Sequence, residues 1–511
     1  MKIKIFITFL LACATIEALS QGKIYNISRY GAVADAITNN TTAIQKAIDE
    51  ASAKGGGTVL VPAGKFVTGV ITIKSNVELH LDKDAFLLGS PVRADYGAGK
   101  ASALIVADHQ HHIAITGQGT IDGQGEKLIK DIYVMLNAGT LRDTEWKIPN
   151  PWHQTRPAED NRPKLIEFRN CDDIQVKGIT IKNGLCWIQN YKSCSNLLVD
   201  HIKVESVTFW NNDGIDITDC KNARLTNSFF NAADDGICLK SEDPQGACEN
   251  VYVADCKVRS SASAVKFGTA SHGGFKNVTV KNIIVYDTFR SALALESVDG
   301  GTLEDINVDN IKATNTGNAI FIRLGHRNQK APVGKVQRVH ISNVMVDVPA
   351  GKPDAGYLME GPFVREPHNV FPSSIVGIPS GRVEDVSLEN ITINYPGEGK
   401  KENAFVSKDS LMKVPEQIKN YPEFSMFGEL PAWGFYIRHA DGIKIKNLVL
   451  TCKGSDYRPA LIADDVNGLD LNEIHIQQTA SQPAIVLNKV TGANMHGMPF
   501  PGDKNKNVEV K

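Results

Sequence analysis

Two acidic segments near the middle of the chain carry residue types that could transfer protons. Residues 211–216 read Asn-Asn-Asp-Gly-Ile-Asp and include Asp213, and residues 233–237 read Ala-Asp-Asp-Gly-Ile and include Asp234 and Asp235. Carboxylates held close together cannot all ionise freely, so one keeps its proton at neutral pH, as a general acid requires. Asx turns or a calcium site are the alternatives, because Asp-Gly and Asn-Asp also mark turns.

The segments that position these carboxylates repeat along the chain. Copies with alternating apolar residues begin at Ile174, Leu197, Ala223, Val251, Val278, Ile306, Val339, Val386, Ile443 and Leu469. The alternation predicts strands, and the first intervals of 23, 26, 28, 27 and 28 residues fit one coil of three short strands and three turns. The sequence therefore predicts an all-β fold, a single-stranded right-handed parallel β-helix that forms one domain over residues 21–511.

Coil stacking predicts which side chains meet. One coil step is about 4.8 Å, so we expect Asp213 beside Asp234 and Asp235 on one face. Neighbouring residues of a regular strand point to opposite faces, so a turn or bulge is expected where Asp234 and Asp235 both face the groove. Four cysteines precede equivalent strands, and a column of buried thiols is favoured over disulfide bridges; they are Cys171, Cys194, Cys220 and Cys248.

The ends and loops of the coil stack also leave a pattern. An amphipathic helix is expected from Thr41 to Ser52, with Asn40 before it, as a cap over the N-terminal end of the stack. Later intervals lengthen to 33, 47 and 57 residues, and Pro- and Gly-rich parts such as Gly361-Pro362 and Pro372 to Pro379 predict long loops. Such loops on one side would form the walls of a groove.

Composition and the first residues narrow the function classes. The 511 residues include 55 Lys and Arg against 57 Asp and Glu, a net charge of −2, so no cationic field favours nucleic acid. Lys2 and Lys4 precede a short apolar run, and Ala18-Leu19-Ser20 follows it, which predicts a cleaved secretory signal over residues 1–20. A lipoprotein site at Cys13 is the alternative. With no later run long enough to span a bilayer, we expect a periplasmic or secreted monomer.

Several of these segments resemble one enzyme family. Asn211 to Asp216 is similar to the Asn-Thr-Asp-Gly-x-Asp motif of glycoside hydrolase family 28, the polygalacturonase-like β-helix enzymes. Asp234 to Ser241 is similar to that family's Asp-Asp-Cys-Ile-Ala-Ile-Lys-Ser motif. The entry segment from Tyr30 to Gly64 and the turn from Gly117 to Gly123, after which we expect no helix, are also similar.

The resemblance implies a mechanism and a substrate. It implies an inverting hydrolase of a pectic-type acidic polysaccharide or its oligosaccharides, without a cofactor or a catalytic metal. Asp234 would be the general acid on the glycosidic oxygen. Asp213 and Asp235 would activate the attacking water. The carboxylates of such enzymes lie closer together than the separation that is general for inverting enzymes, so this separation does not predict retention here.

Two later motifs depart from the family pattern. Ser263 stands where the family has a His, and Lys266 is a new charge nearby. Residues 294–296 read Ala-Leu-Glu where the family has the Arg-x-Lys pair that binds the substrate carboxylate. We expect Lys266 and Glu296 to rebuild this subsite, and cations one coil further on could contribute. The expected substrate-binding residues are Lys240, Lys266, Glu296, Arg323, His326, Arg327 and Trp187.

Other functions stay open at this point. A polysaccharide lyase on the same fold would use Ca²⁺ on Asp clusters and Lys240 or Lys266 as the base. A non-catalytic glycan-binding β-helix is the third hypothesis, since the family's His and Arg-x-Lys positions are changed. Trp152, Trp187 and Trp210 could line a sugar groove in any of these cases or be packing residues.

Overall fold

The structure is a computed structural model that describes residues 23–148, 155–362, 364, 368–403, 406–477, 483–498 and 507–511. Its first ten strands are β1 Ile24–Asn26, β2 Asp35–Asn39, β3 Gly57–Val61, β4 Gly64–Thr68, β5 Ile71–Thr72, β6 Val77–Leu81, β7 Ala85–Gly89, β8 Ile105–Asp108, β9 His111–Gly117 and β10 Thr120–Asp122. The next ten are β11 Ile166–Arg169, β12 Asp172–Lys177, β13 Thr180–Lys182, β14 Gln189–Lys192, β15 Ser195–Asp200, β16 Lys203–Ser206, β17 Ile215–Thr218, β18 Lys221–Thr226, β19 Phe229–Ala232 and β20 Ile237–Ser241. The last are β21 Cys248–Ser260, β22 Val265–Ser271, β23 Gly274–Ser297, β24 Thr302–Leu324, β25 Lys335–Asp347, β26 Ser373–Val376, β27 Val383–Tyr395, β28 Phe435–Cys452, β29 Leu461–Gln477, β30 Ile485–His496 and β31 Val508–Val510.

These strands form stacked parallel coils. In the middle of the chain each strand pairs in parallel with the strand three places further on, as β12 does with β15, β13 with β16 and β14 with β17. In later coils two sides run together in one long strand, such as β23 and β24. The predicted repeats lie in register, since Ile174 is opposite Leu197, and Leu197 is opposite Ala223. The all-β fold of parallel stacked coils is confirmed.

Buried aliphatic side chains fill the inside of the coils, and asparagines line turns on the outside. Asn222, Asn250 and Asn277 have positive φ angles of 56°, 57° and 50°. Nδ2 of Asn250 donates to Oδ1 of Asn222 at 3.1 Å, and Nδ2 of Asn277 donates to Oδ1 of Asn250 at 2.7 Å. Asn tolerates the left-handed conformation that such a turn requires, which explains its recurrence in the repeat.

The predicted N-terminal helix is present as α1, Thr41–Ala53, and it buries Ala43, Ile44, Ala47, Ile48 and Ala51. Asn40, however, does not cap it: its Nδ2 donates to the carbonyls of Thr38 and Val33. The side chain of Asn39 accepts the N–H of Thr41 instead, at 3.0 Å.

A second helix corrects the expectation for the turn that ends at Gly123. Helix α2, Gly125–Ala138, follows this turn almost directly, where no helix was expected. Leu128, Ile132 and Leu136 are spaced four residues apart on its buried face, so a helical pattern was present in the sequence. No helix in the described ranges is long and apolar enough to cross a membrane.

The cysteine column and the long loops can be compared with their predictions. Cys171, Cys194, Cys220 and Cys248 are buried free thiols, as expected. The expected loop from Pro372 to Pro379 is wrong in part, because it contains the buried strand β26, which pairs with β24 and β28. The described residues 348–362, 364, 368–372, 396–403 and 406–434 form the long segments without strands in this half of the chain.

Candidate active site

Adjacent coils bring the three predicted carboxylates together. Asp213 precedes β17, and Asp234 and Asp235 lie in the turn between β19 and β20. Ile215 of β17 is opposite Ile237 of β20, so Asp213 and Asp235 take equivalent places two residues earlier in their coils. One oxygen of each carboxylate lies within 4.8 Å of the others. The predicted adjacency and the predicted turn are therefore confirmed.

Two buried lysines hold two of these carboxylates. Nζ of Lys240 lies 2.9 Å from Oδ2 of Asp213 and also contacts Asp216. Nζ of Lys266 lies 2.9 Å from Oδ2 of Asp235. The backbone N–H of Ser263 donates to the other oxygen of Asp235 at 3.0 Å. The residue in the family's His position thus contacts Asp235 through its backbone, and Lys266 supplies the charge.

The neighbouring carboxyl groups of Asp234 and Asp235 have pKa values shifted in opposite directions. Burial, followed by the negative charges of Asp213 and Asp235, raises the pKa of Asp234 to about 7. Burial alone would raise the pKa of Asp235, but the positive charges of Lys266, Arg290 and Lys240 lower it. Near neutral pH one carboxyl of the turn can therefore hold a proton while the next is ionised.

The carboxylates open into a cavity of about 320 Å³. Trp187 forms part of its lining, with Nζ of Lys240 at 4.0 Å from the ring centroid. The predicted residues that line the cavity are Asp213, Asp234, Asp235, Lys240, Lys266, Trp187, Trp210 and Arg327. Segments distant in sequence supply further walls, including Arg156, Gly361 and Tyr421. Trp152 lies outside the described residues.

Lys266 and Glu296 do not share one role. Lys266 lines the cavity, and its Nζ contacts the hydroxyl of Tyr421 at 2.9 Å. Glu296 is 2% exposed and is not part of the cavity lining. It packs against Gly268, where an added Cβ would lie 3.1 Å from its Oε2. Burial raises the pKa of Glu296 to about 7, against the opposing charge of Lys266. The expectation that Glu296 contacts substrate is therefore corrected: it lies behind the cavity wall.

Three residues one coil beyond Glu296 were expected to bind substrate, and the structure places them in different surroundings; they are Arg323, His326 and Arg327. Arg323 is fully buried and donates to the carbonyls of Gly377 at 2.9 Å and Glu416 at 2.7 Å. Nε2 of His326 lies 2.8 Å from the carbonyl of Ala331. Neither side chain lines the cavity, which corrects the expectation for both, because carbonyl groups of neighbouring segments hold the two Nη atoms of Arg323 and the Nε2 atom of His326. Arg327 does line the cavity.

The cavity residues that the sequence analysis missed include Arg156, Arg290 and Tyr421. A signal existed for Arg290, because two steps of 28 residues lead back from it through Ala262 to Asp234. The backbone N–H of Arg290 donates to the backbone carbonyl of Ala262 at 2.8 Å, so these two residues lie in neighbouring coils as the count indicates. Arg156 and Tyr421 belong to irregular segments without a repeat, so coil counting could not have placed them.

The carboxylate cluster also has the geometry of a small cation site. Besides the three carboxylates, Asp213, Asp216 and Cys238 offer ligand atoms within 4.8 Å of one another. The ammonium groups of Lys240 and Lys266 already lie against these carboxylates. Calcium takes six to eight oxygen ligands, so this mixed set fits internal ion pairs better than calcium.

The family of this chain follows from comparison with known proteins. Residues 52–354, more than half of the chain, match the model of the glycosyl hydrolases family 28. The chain belongs to glycosyl hydrolases family 28. Within this family-28 chain, the matched range contains the three carboxylates, Lys240 and Lys266, whereas Tyr421 lies beyond it.

Relatives of this family-28 chain have the following names. A protein described as "Probable polygalacturonase" from Vitis vinifera is 28% identical over 316 residues, which cover 58% of this chain and 56% of the relative. The exo-poly-alpha-D-galacturonosidase of Dickeya chrysanthemi is 27% identical over 326 residues, 55% of this chain and 53% of the relative. The chain thus spans about half the length of these curated relatives.

Solved structures share the fold of this family-28 chain. A hyperthermoactive exopolygalacturonase from Thermotoga maritima has a TM-score of 0.60 at 21% identity and covers 84% of this chain and 92% of its own. The family 28 exopolygalacturonase of Yersinia enterocolitica has a TM-score of 0.60 at 19% identity, with 94% and 79% covered. At these identities the likeness concerns the fold.

Proposed function

We propose that the protein hydrolyses glycosidic bonds in an acidic, pectic-type polysaccharide or its oligosaccharides, with inversion at the anomeric carbon. The supporting observation is the cluster of three carboxylates within 4.8 Å of one another in the cavity wall. Two of its members have pKa values shifted in opposite directions. The polygalacturonase names of the relatives support a galacturonide as the substrate.

In the proposed mechanism Asp234 is the general acid. Its raised pKa lets it hold a proton near neutral pH and give that proton to the glycosidic oxygen as the bond breaks. Asp213 and Asp235 take a proton from the water that attacks the anomeric carbon. Lys240 contacts Asp213, and Lys266 contacts Asp235 and favours the ionised form of Asp235.

The lysines argue against a lyase. Burial alone would lower the pKa of Lys240 and Lys266, but the neighbouring carboxylates raise both values well above the ordinary range. An ammonium group held in this way is a poor base for abstracting a proton from a sugar.

Product analysis on pectic oligosaccharides tests the proposal. We expect shortened saturated products, inversion in the first NMR spectra after mixing, and activity that resists a chelator. An unsaturated product that absorbs ultraviolet light and a requirement for Ca²⁺ would identify a lyase. Saturated products with retained configuration would support a hydrolase but contradict inversion. Retention is the result that a separation of about 5–5.5 Å between two catalytic carboxyl groups predicts in general.

We further propose that the protein is an exported monomer with one right-handed β-helix domain over residues 21–511. The charge and apolar pattern of residues 1–20, which lie outside the described residues, support export. Right-handed crossovers predominate among parallel strands. The contacts of α1 with β1 and β3, near the first coil, support its role as the N-terminal cap.

A further inference from the structure

The cavity contains several cations, and most of them already face an anion. Asp213 and Asp216 contact Lys240, and Asp235 contacts Lys266. Glu423 lies 3.5 Å from Arg290, and Asp299 binds Arg327 through two hydrogen bonds of 2.8 and 2.6 Å. The positive charges of these four cations are therefore largely neutralised within the protein and attract an anionic ligand only weakly; they are Lys240, Lys266, Arg290 and Arg327.

Arg156 differs from them. Among the described residues it has no ion-pair partner within 4.0 Å, whereas Arg290 faces Glu423. Its buried Nε has no acceptor, which is also true of the Nε of Arg290. Burial and the positive charge of Arg162 lower the pKa of Arg156, and the negative charges of Glu159 and Asp234 only partly oppose them. A partly buried guanidinium without a close anion is costly, so an anion from outside would stabilise it.

We propose that Arg156 binds the carboxylate of a uronic acid residue of the substrate. This inference rests on the proposed function and names the group that recognises the acidic sugar. Arg156 and Asp234 line the same cavity, so the bound carboxylate belongs to a sugar close to the scissile bond. The planar guanidinium can donate two parallel hydrogen bonds to a carboxylate.

The proposal also accounts for the changed family motif. Ala294 and Glu296 stand where the resembled family has the Arg-x-Lys pair. Arg323 is buried on loop carbonyls, and Arg327 is bound to Asp299. Arg156 lies much earlier in the chain, before β11. It would supply the free cation that positions 294, 296, 323 and 327 do not supply.

Binding to a protein that cannot turn over the ligand provides the test. In an Asp234→Asn background, calorimetry would compare trigalacturonate with its fully methyl-esterified form. We expect the acid to bind at least about tenfold more tightly than the ester. Adding Arg156→Gln should remove this difference by weakening the acid alone. Arg142→Gln is the matched control, because Arg142 is exposed in the same region and does not line the cavity.

Each result decides the proposal. Unchanged acid affinity in Arg156→Gln, an equal loss for acid and ester, or no binding of the acid at all would overturn it. Circular dichroism and the melting temperature would show that the variants are folded. The proposed function is tested separately by hydrolysis with the unmodified protein. Arg156-dependent binding of the acid without any cleavage would overturn the hydrolase and leave the carboxylate site standing.

Discussion

Asp234 and Asp235 are adjacent in sequence and differ in electrostatic surroundings. Lys266 and the N–H of Ser263 contact Asp235 directly. Asp234 faces Asp213 and Asp235 as like charges, and the one hydrogen bond that its side chain accepts within the described parts of the chain comes from the backbone N–H of Asp235, at 2.9 Å. The turn therefore places a carboxyl group with a raised pKa next to one with a lowered pKa, because Lys266 contacts only the second of the two.

Replacing Asp234 by Asn tests its role as the acid. We expect kcat to fall at least about a hundredfold, since the amide cannot donate a proton to the leaving oxygen. The melting temperature and the affinity for substrate should stay nearly unchanged, because Asn has almost the same shape. Initial rates and calorimetry measure both quantities. A fully active Asn variant would exclude Asp234 as the acid.

The pH profile follows from the two shifted pKa values. Asp234 has a raised pKa of about 7, so its acid form, and with it kcat, is lost as pH rises through about 7. Asp235 has a lowered pKa, so its base form is lost only below the usual range of an Asp. Lys266→Met removes the largest charge that lowers the pKa of Asp235. The acidic limb of the rate profile should then move to higher pH, and an unmoved limb would contradict this assignment.

Lys266 and Glu296 should respond differently to substitution. Lys266→Ala leaves the buried carboxylate of Asp235 without its ammonium partner, so we expect at least about a tenfold loss of turnover together with a lowered melting temperature. Glu296→Gln should leave KM unchanged, because Glu296 does not reach the cavity and Gln resembles its protonated form. Steady-state kinetics of both variants decide the matter. Unchanged kinetics for Lys266→Ala, or a raised KM for Glu296→Gln, would reverse these roles.

The sequence predicted the residues of the site whose places depend on coil register. Asp213, Asp234 and Asp235 could be placed because their coils align with the strands that follow. Arg323 could not be placed correctly, since its environment depends on carbonyls of a loop more than 90 residues later. Arg156 was missed for the same kind of reason, because its segment has no repeat to count.

At the scale of the elements, strand prediction succeeded where alternation was long and regular. Strand β26 is only four residues long and lies between prolines, so its pairing with β24 and β28 was hidden by loop-like composition. Helix α2 was missed because it interrupts the coils between β10 and β11, where coil counting gave no reason to expect a helix.

The exposed asparagine row gives a prediction at this scale. Asn250→Ala removes the hydrogen bonds to Asn222 and Asn277 and places Ala at a φ of 57°. We expect a loss of about 1–2 kcal/mol in the free energy of unfolding. Asn250→Gly also loses both bonds but accepts the positive φ, so it should be less destabilised. Urea denaturation compares the two, and greater stability of the Ala variant would contradict the conformational argument.

At the scale of the whole molecule, each inner coil is hydrogen-bonded to a coil on either side. Stability in such a stack is close to a sum of contributions from neighbouring coils. Strand β23 pairs with β21 and β24, whereas β31 pairs with β30 alone among the described strands. The ends of the stack should therefore open more readily than its middle.

Hydrogen exchange measured by mass spectrometry tests this gradient. We expect the amides of β23 and β24 to exchange most slowly and those of β30 and β31 to exchange fastest. The rates should be compared after correction for the intrinsic exchange rate of each peptide. Uniform protection along the stack would mean that the coils open together rather than from the ends.

The contact between Lys266 and Tyr421 joins residues 155 positions apart. During synthesis, all three carboxylates and both lysines leave the ribosome long before Tyr421 does. The early coils can stack as they emerge, because each pairs with a coil that already exists. The part of the cavity wall that contains Tyr421 is synthesised only later. A nascent protein would therefore acquire its carboxylate cluster early and its complete cavity late, so that the ability to bind substrate would appear near the end of folding.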